Sequence, residues 1–135
     1  MAVQEFKLQV LSREHSSFLD ITAEVNRILR EKRWAIGILN LFVKHTTCGL
    51  TINENADPTV LKDLTSRLNH QIPWSLGADL HQEGNSAAHL KCTLTGVHLT
   101  LPVHSNQLSL GTWQAVYLAE FDGPRTRTIH LSFIN

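Results

Sequence analysis

Histidine is the side chain that stands out in this chain, with eight copies in 135 residues. Two of them, His81 and His89, flank a polar stretch that contains Glu83. Imidazoles are common ligands of zinc-like ions, and a catalytic zinc site needs three protein ligands with an open position. These two histidines do not have the HExxH helix spacing. The third ligand must therefore come from elsewhere, and His45, at the end of an apolar stretch, is the candidate.

The alternative is that these histidines lie at the surface or in the core and bind no metal. We assign that role to the five whose neighbours suggest no ligand function: His15, His70, His98, His104 and His130.

Residues 44–58 are dense in polar side chains and lead into a predicted helix that begins at Asp57-Pro58. A helix N-terminus offers unpaired N–H donors and a partial positive charge, which suit a phosphate group. Glu54 and Asp57 could instead hold a hard divalent cation through oxygen. The alternative is purely structural: Asp57 caps the helix and Asn53 forms a turn.

A third polar group surrounds Trp113, which lies on a predicted strand, where a core position is more common than stacking against a ligand. With Trp113 pointing inward, Gln114 shares the opposite face with Glu120. Arg125 and Arg127 are two residues apart in an apparent strand, so both project to one side and suit bidentate phosphate binding. The alternative is a solvated hairpin with salt bridges, which is the favoured interpretation for Arg127.

Hydrophobic patterning predicts the elements that position these side chains. Helices are predicted over 20–30, with Asp20 as a possible N-cap, and over 58–72 and 87–94. Strands are predicted over 3–11, 34–45, 97–103, 112–121 and 126–134. The strand at 34–45 is expected to be covered on both faces for most of its length. The order predicts a single α+β domain over residues 1–135 with a largely antiparallel sheet.

Composition limits the classes of function. Twelve Lys and Arg balance twelve Asp and Glu, so non-specific binding to nucleic acid is not expected. No apolar run approaches the roughly 20 residues that cross a bilayer, so no membrane association is expected. Cys48 and Cys92 form no CxxC pair, and reduced thiols in a soluble cytoplasmic protein are the simpler interpretation.

Several of these motifs together resemble the YjbQ family. They are His45-Thr46-Thr47, Leu50 to Asn55 with Asp57-Pro58-Thr59, His89-Leu90-Lys91, Leu101-Pro102-Val103, Gly111 to Gln114 and Gly123-Pro124-Arg125. The match runs nearly end to end. Cys48 and Gly49 occupy a variable slot, and the loop at 75–80 differs from that of other members.

The resemblance implies an α+β fold with a large, mixed and mainly antiparallel sheet and two to three helices, assembled as a homotrimer. Part of the family is described as secondary thiamine-phosphate synthases, which join a pyrimidine methyl diphosphate to a thiazole phosphate. Such a reaction calls for a divalent metal and cations on the diphosphate and a shielded pocket for a pyrimidine carbocation.

For this chain, the resemblance implies a metal-dependent transferase with three groups of site residues. The expected catalytic residues are Glu54, Arg125 and Lys91, with Lys44 as a further phosphate contact. The expected substrate-binding residues are Asn53, Asp57, Trp113, Gln114 and Glu120. The expected ligands of a zinc-like or magnesium ion are His45, His81 and His89. Two alternatives stay open: a trimeric metal- or anion-binding module without activity, and a metal-dependent hydrolase of an unknown substrate.

Overall fold

The computed structural model describes residues 2–135 and contains three helices and eight strands in that part of the chain. The helices are α1 (Thr22–Glu31), α2 (Pro58–Gln71) and α3 (Ser86–Thr95). The strands are β1 (Val3–Leu11), β2 (Ser17–Asp20), β3 (Ile36–Val43), β4 (Cys48–Glu54), β5 (His98–His104), β6 (Gln107–Leu108), β7 (Gln114–Glu120) and β8 (Thr126–Ile134). The α+β class and its antiparallel character are confirmed.

The strands form two sheets rather than one. The larger sheet has the order β1-β8-β3-β5-β6, and the smaller has the order β2-β7-β4. The strand pairs are antiparallel in both sheets. Their inner faces and the apolar side of α1 form one core, in which Leu41, Leu118 and Leu29 are fully buried. Trp34 stacks on Phe133 with ring centroids 5.0 Å apart.

The strand predicted at 34–45 is shorter than expected and is covered on one face only. β3 alternates, with Leu39 and Leu41 in the core, while Ile36 is 66% exposed and Ile38 40% exposed. Because a strand sends alternate side chains to opposite faces, coverage of both faces needs a second layer. Within residues 2–135, these outer side chains of β3 have no such layer, so the expectation of two covered faces was wrong for the single chain.

The helix predictions hold with small changes. α2 begins after Asp57, whose carboxylate accepts hydrogen bonds from the Thr59 amide at 2.9 Å and the Thr59 hydroxyl at 2.7 Å. Asp20 ends β2, and its carboxylate still accepts a hydrogen bond from the Thr22 amide at the start of α1. α3 ends at Thr95 and is followed by Gly96 as its C-cap, which has a φ of 90°. A left-handed φ of this kind favours glycine.

The polar segment 44–58 contains a strand that the sequence analysis missed. Residues 48–54 form β4, whose Leu50 and Cys48 are buried. The alternation of Leu50 and Ile52 around Thr51 was the available signal. The polar ends of the segment obscured it.

α3 is fixed against β4 by a close backbone approach. The Leu50 amide donates a hydrogen bond to the Gly96 carbonyl at 3.1 Å. A Cβ on Gly49 would lie 2.5 Å from that carbonyl oxygen and 2.9 Å from Thr95 Cγ2. Glycine at position 49 therefore lets the end of α3 reach the sheet.

No helix in residues 2–135 has both the length and the apolar character needed to span a membrane.

Gly49→Ala tests this contact between α3 and β4. The added methyl group must push α3 away from β4, and we expect the free energy of unfolding to fall by about 1–3 kcal/mol. Gly77→Ala is the matched control, because a Cβ at Gly77 meets nothing within 4 Å, and we expect a change within about 0.5 kcal/mol. Urea denaturation of the two variants measures the difference. Equal stabilities would contradict the steric argument.

Candidate functional site

An open cleft of about 390 Å³ lies where the end of β3, the start of β8 and the N-terminus of α3 meet. We call it the histidine cleft. Its lining side chains come from three stretches of the chain: Lys44, His45, Thr46, Thr47, His81, Glu83, Asn85, His89, Arg125 and Arg127. His45, His81 and His89, which the sequence analysis expected to meet, therefore line the same space.

Asp122 organises one wall of the histidine cleft. Its carboxylate accepts a hydrogen bond from Arg125 Nη2 at 2.9 Å and one from Asn85 Nδ2 at 2.9 Å. Burial raises the pKa of Asp122, but the hydrogen bond from Asn85 and the charge of Arg125 outweigh this effect and hold the pKa below its ordinary value. The Arg125 side chain is half exposed. Arg125 is thus oriented by Asp122 while donors remain available to a ligand.

Asn85 has an unused acceptor in the same wall. The residue is 5% exposed, and its amide nitrogen is committed to Asp122. Its Oδ1 atom is buried and has no hydrogen-bond partner within residues 2–135. A buried carbonyl oxygen without a donor is costly. Asn85 therefore presents an unmet acceptor beside the cations of the cleft.

Glu120 and Arg127 form a fully buried ion pair behind the cleft. Arg127 Nε donates to both carboxylate oxygens at 2.9 and 3.1 Å, and Nη2 donates to the Thr47 carbonyl and hydroxyl. The Ser12 hydroxyl donates to Glu120 Oε1 at 2.6 Å. Burial raises the pKa of Glu120, but the hydrogen bonds from Arg127 and Ser12 lower it below its ordinary value.

These positions correct two expectations. Arg127 is 3% exposed, so the solvated hairpin that was favoured for it is wrong. Glu120 is 0% exposed, and its oxygens are taken by Arg127, Ser12 and two backbone amides. The expected substrate-binding role for Glu120 therefore does not fit its position. Its geometry makes it a structural anion that holds Arg127.

His45 is held in one tautomer by the backbone. The Thr128 amide donates a hydrogen bond to His45 Nε2 at 3.1 Å, so Nε2 carries a lone pair and the neutral ring has its proton on Nδ1. Burial is the main cause that lowers the pKa of His45, and the positive charge of Arg127 adds to it. His45 is thus a neutral N–H donor rather than a ready metal ligand.

His81 and His89 are neighbours on the other side of the cleft. Their rings meet edge to face with centroids 5.3 Å apart. Within the described part of the chain, no group of three or more His, Cys, Asp or Glu side chains is arranged to hold a metal ion. His45 Nε2 accepts a hydrogen bond from the Thr128 amide, so His81 and His89 are the two expected ligands that lie next to each other.

A second group of expected site residues lies at the far end of the smaller sheet. Strand β4 pairs Cys48 with Glu120 at one end and Glu54 with Gln114 at the other. Six residues of extended strand span about 20 Å. Glu54 therefore does not lie beside the histidines of the same chain, as the sequence analysis had expected for the metal.

Local hydrogen bonds occupy several side chains at this far end. Asn53 accepts from the Glu54 amide at 2.8 Å, and Gln114 accepts from the Gly111 amide at 2.8 Å. Asp57 caps α2, as in the structural alternative; the hydrogen bonds from Thr59 lower its pKa. Trp113 precedes β7 and is 64% exposed, so it does not take the core position that is more common on a strand.

Lys91 lies away from the histidine cleft. It is two residues beyond His89 in α3, and side chains at this spacing point to different sides of a helix. Its ammonium group donates to Asn69 Oδ1 at 2.6 Å, in a separate cleft with Trp74. The expectation that Lys91 and Arg125 act on the same phosphate is therefore not met within one chain.

Sequence reasoning missed Asp122, Asn85 and Ser12. Asp122 and Asn85 lie in stretches with turn and cap signals, where a polar residue has an ordinary structural explanation. Ser12 acts across a separation of 108 residues from Glu120. No local sequence signal reports a contact of that range.

The chain thus combines an α+β fold of two antiparallel sheets with a cleft lined by His45, His81 and His89 and by the cations Lys44 and Arg125. Residues 6–135 match the family described as UPF0047 protein YjbQ-like. The UPF0047 protein YugU of Bacillus subtilis is 43% identical over 127 residues, which cover 94% of this chain and 96% of that protein. The UPF0047 protein of Methanocaldococcus jannaschii is 41% identical over 131 residues, which cover 96% of this chain and 93% of that protein.

Solved structures agree with these relatives. The crystal structure of a conserved hypothetical protein from Thermus thermophilus superimposes with a TM-score of 0.90 and 47% identity, and the match covers 96% of this chain and 99% of that one. A YjbQ/UPF0047 family protein from Clostridium acetobutylicum gives a TM-score of 0.90 at 39% identity, over 96% of this chain and 99% of that one. The chain belongs to the YjbQ-like UPF0047 family.

Glu120→Gln tests the buried ion pair. The change leaves the Arg127 guanidinium buried without a counter-charge, and we expect the free energy of unfolding to fall by about 3–5 kcal/mol. The pKa of Glu120 is lower in the folded state than in the unfolded state. The stability that ionised Glu120 contributes is therefore fully present above the unfolded-state pKa and is lost as pH falls through the folded-state pKa. The difference in the free energy of unfolding between wild type and Glu120→Gln should therefore become smaller at acid pH.

Glu83→Gln is the matched control for Glu120→Gln, since it removes an exposed carboxylate from the same cleft. We expect a change within about 0.5 kcal/mol. Urea unfolding at neutral and acid pH compares the two variants. If Glu120→Gln is as stable as the control, the ion pair does not anchor the fold.

The tautomer of His45 can be measured directly. In ¹⁵N-detected imidazole spectra, we expect His45 to carry its proton on Nδ1 and to titrate below the ordinary histidine pKa of 6.5. The His45→Gln variant assigns the signals. An Nε2–H tautomer would show that the Thr128 hydrogen bond does not control the ring, and a midpoint at or above 6.5 would show that burial and Arg127 do not lower the pKa of His45.

Proposed function

We propose that this protein is an enzyme that acts on a small phosphorylated substrate in the histidine cleft, with the reaction type of a thiamine-phosphate synthase. The observation that carries the proposal is the convergence of Arg125, Lys44 and the His45 N–H donor with the unmet acceptor of Asn85. The donors suit phosphate oxygens, and the Asn85 carbonyl suits an N–H group of a heterocycle.

The chemistry fits these roles. The bond between the pyrimidine methylene carbon and a diphosphate oxygen breaks, and diphosphate leaves with the electron pair. The thiazole nitrogen then forms a carbon–nitrogen bond to the same methylene carbon. Arg125, which Asp122 holds by carboxylate and by backbone carbonyl, would stabilise the charge that develops on the leaving group. His45 would donate a hydrogen bond to the same oxygens without adding a proton to them.

A divalent cation belongs to the proposal as a second way to neutralise diphosphate. His81 and His89, whose rings are adjacent, would hold it together with substrate oxygens. Such a cation supplies Lewis-acid stabilisation of the leaving group. His45 would take part only after giving up the hydrogen bond from Thr128, so we assign it to phosphate.

Assembly as a homotrimer also belongs to the proposal. Ile36, Ile38 and Phe42 expose apolar surface on the outer face of β3, and such a patch is typical of an interface. A trimer in which the far end of one chain reaches the histidine cleft of the next would bring Glu54 and Trp113 to the cations. Both cysteines are buried and unpaired, which suits work in the reducing cytoplasm.

A binding module without turnover is the second candidate. The openness of the cleft favours it, since Arg125 is half exposed and His81 and Lys44 are exposed. A reactive pyrimidine cation would need more shielding from water than one chain provides. Turnover separates the two candidates.

Purified protein incubated with the pyrimidine methyl diphosphate and the thiazole phosphate should form thiamine phosphate, measured by chromatography. We expect Arg125→Met and His89→Ala to lower the rate by roughly 10²-fold or more, because each removes a polar group from the cleft. His70→Ala, on the exposed side of α2, is the matched control and should keep full activity. Binding of both substrates without product would favour the binding module.

Elemental analysis tests the cation in the same samples. We expect about one zinc-like ion per chain, with an affinity that falls below roughly pH 6 as the imidazoles become protonated. His81→Ala should lower the bound metal. Protein that holds no ion after dialysis against zinc in the presence of both substrates would remove the metal from the mechanism, and an affinity that is flat from about pH 8 to about 5 would exclude histidine ligation.

A further inference from the structure

Lys91 is a buried cation without a counter-charge. The residue is 2% exposed, and its Nζ lies 6.0 Å from the centroid of the Phe121 ring. One ammonium proton is donated to Asn69 Oδ1 at 2.6 Å. In residues 2–135, no carboxylate lies within salt-bridge distance of Nζ. A neutral amide could tie α3 to α2 equally well, so this contact does not explain a buried charge.

Lys91 faces a cleft of its own. A space of about 490 Å³ is lined by Lys91, Asn69, Ser16, His15 and Trp74. This is the size of a site for a small molecule. We call it the lysine cleft. It is separate from the histidine cleft, with which it shares no lining residue.

A narrow pocket beside the lysine cleft contains a second unmet polar group. It shares Lys91, Asn69 and Ser16 with the lysine cleft and is also lined by Ser17 and Phe121. The Ser17 hydroxyl is buried and has no hydrogen-bond partner in the described part of the chain. Glu120 also borders this narrow pocket, but its oxygens are taken by Arg127, Ser12 and backbone amides. The Lys91 ammonium can only donate and the Ser17 hydroxyl can donate or accept, so an acceptor atom of a ligand would satisfy both groups.

The outer part of the cleft is aromatic. His15 meets Trp74 edge to face with centroids 4.3 Å apart, and Trp74 remains 37% exposed. An exposed indole face beside a polar floor suits a flat ring that carries a charged substituent. The two ends of the cleft therefore suit different parts of one ligand.

We propose that the lysine cleft binds a small aromatic acid, whose oxyanion lies against the Lys91 ammonium and whose ring packs on Trp74. The oxyanion is a carboxylate or a phosphate monoester, which offer the same acceptor chemistry to an ammonium group. Burial lowers the pKa of Lys91, and a bound anion would offset that cost. This site does not depend on the function proposed for the histidine cleft.

Two probes test the proposal with the intact chain: benzoate for the carboxylate and phenyl phosphate for the phosphate ester. In ¹H–¹⁵N spectra, we expect saturable shifts at Ser16, Ser17, Asn69 and the Trp74 indole N–H. Benzyl alcohol, which keeps the ring and lacks the charge, should bind at least about tenfold more weakly than the better acid. The acid that binds more tightly identifies the source of the oxyanion.

Lys91→Met keeps the length of the side chain and removes its charge, and we expect at least about a tenfold loss of affinity for the better acid. Lys62→Met is the matched control, since it removes an exposed cation of α2 that lines neither cleft and should leave this affinity unchanged. Trp74→Ala changes an exposed side chain and should also weaken binding. If Lys91→Met does not fold, the affinity of Trp74→Ala for the acids tests the proposal instead.

The proposal fails on any of three results. One is that neither acid gives saturable shifts at about 1 mM or above. Another is that the shifts map to His45, His89 and Arg125 instead. The third is that folded Lys91→Met, or Trp74→Ala where that variant decides, binds the acids as wild type does.

Discussion

The buried ion pair of Glu120 and Arg127 is the interaction on which the rest of the structure depends. Glu120 ends β7 of the smaller sheet, and Arg127 lies in β8 of the larger sheet. The pair therefore ties the two sheets together. Ser12, after β1, and Thr47, before β4, complete its hydrogen bonds. Breaking a buried, fully paired ion pair leaves an uncompensated charge and is strongly destabilising, so the four chain segments that meet there have little freedom to move apart.

The histidine cleft is built on that junction. His45 and Arg125 each lie within two residues of a member of the network, and Thr47 belongs to both. The Arg125 amide donates to the Ser12 hydroxyl at 2.8 Å, which fixes the start of β8. Arg125, which would bind a phosphate, is thus held by a rigid part of the structure. Preorganisation of this kind is what electrostatic stabilisation of a developing charge requires.

One short helix, α3, contributes a side chain to each of the two clefts. α3 directs His89 to the histidine cleft and Lys91 to the lysine cleft, and Gly49 lets the end of this helix approach β4. Asp122 accepts hydrogen bonds from Asn85 and Arg125 on the histidine side and lies 3.8 Å from His15, which lines the lysine cleft. The wall between the clefts is therefore made of paired polar groups, and each cleft keeps its own unmet donor or acceptor.

The sequence by itself determined the class of fold, the start of α2 at Asp57-Pro58 and the strand at 3–11, because local periodicity and helix caps depend only on neighbouring residues. It also determined the family, because several motifs occur in the same order. It also brought His45, His81 and His89 together as a group. Tertiary structure alone decided that Arg127 is buried and that Lys91 faces a second cleft. It also decided that Glu54 lies about 20 Å along β4 from Cys48, at the end of the strand away from the histidine cleft. The reason is physical: a side chain's charge and spacing are local, whereas its burial and its partners depend on segments as distant as Ser12 and Glu120.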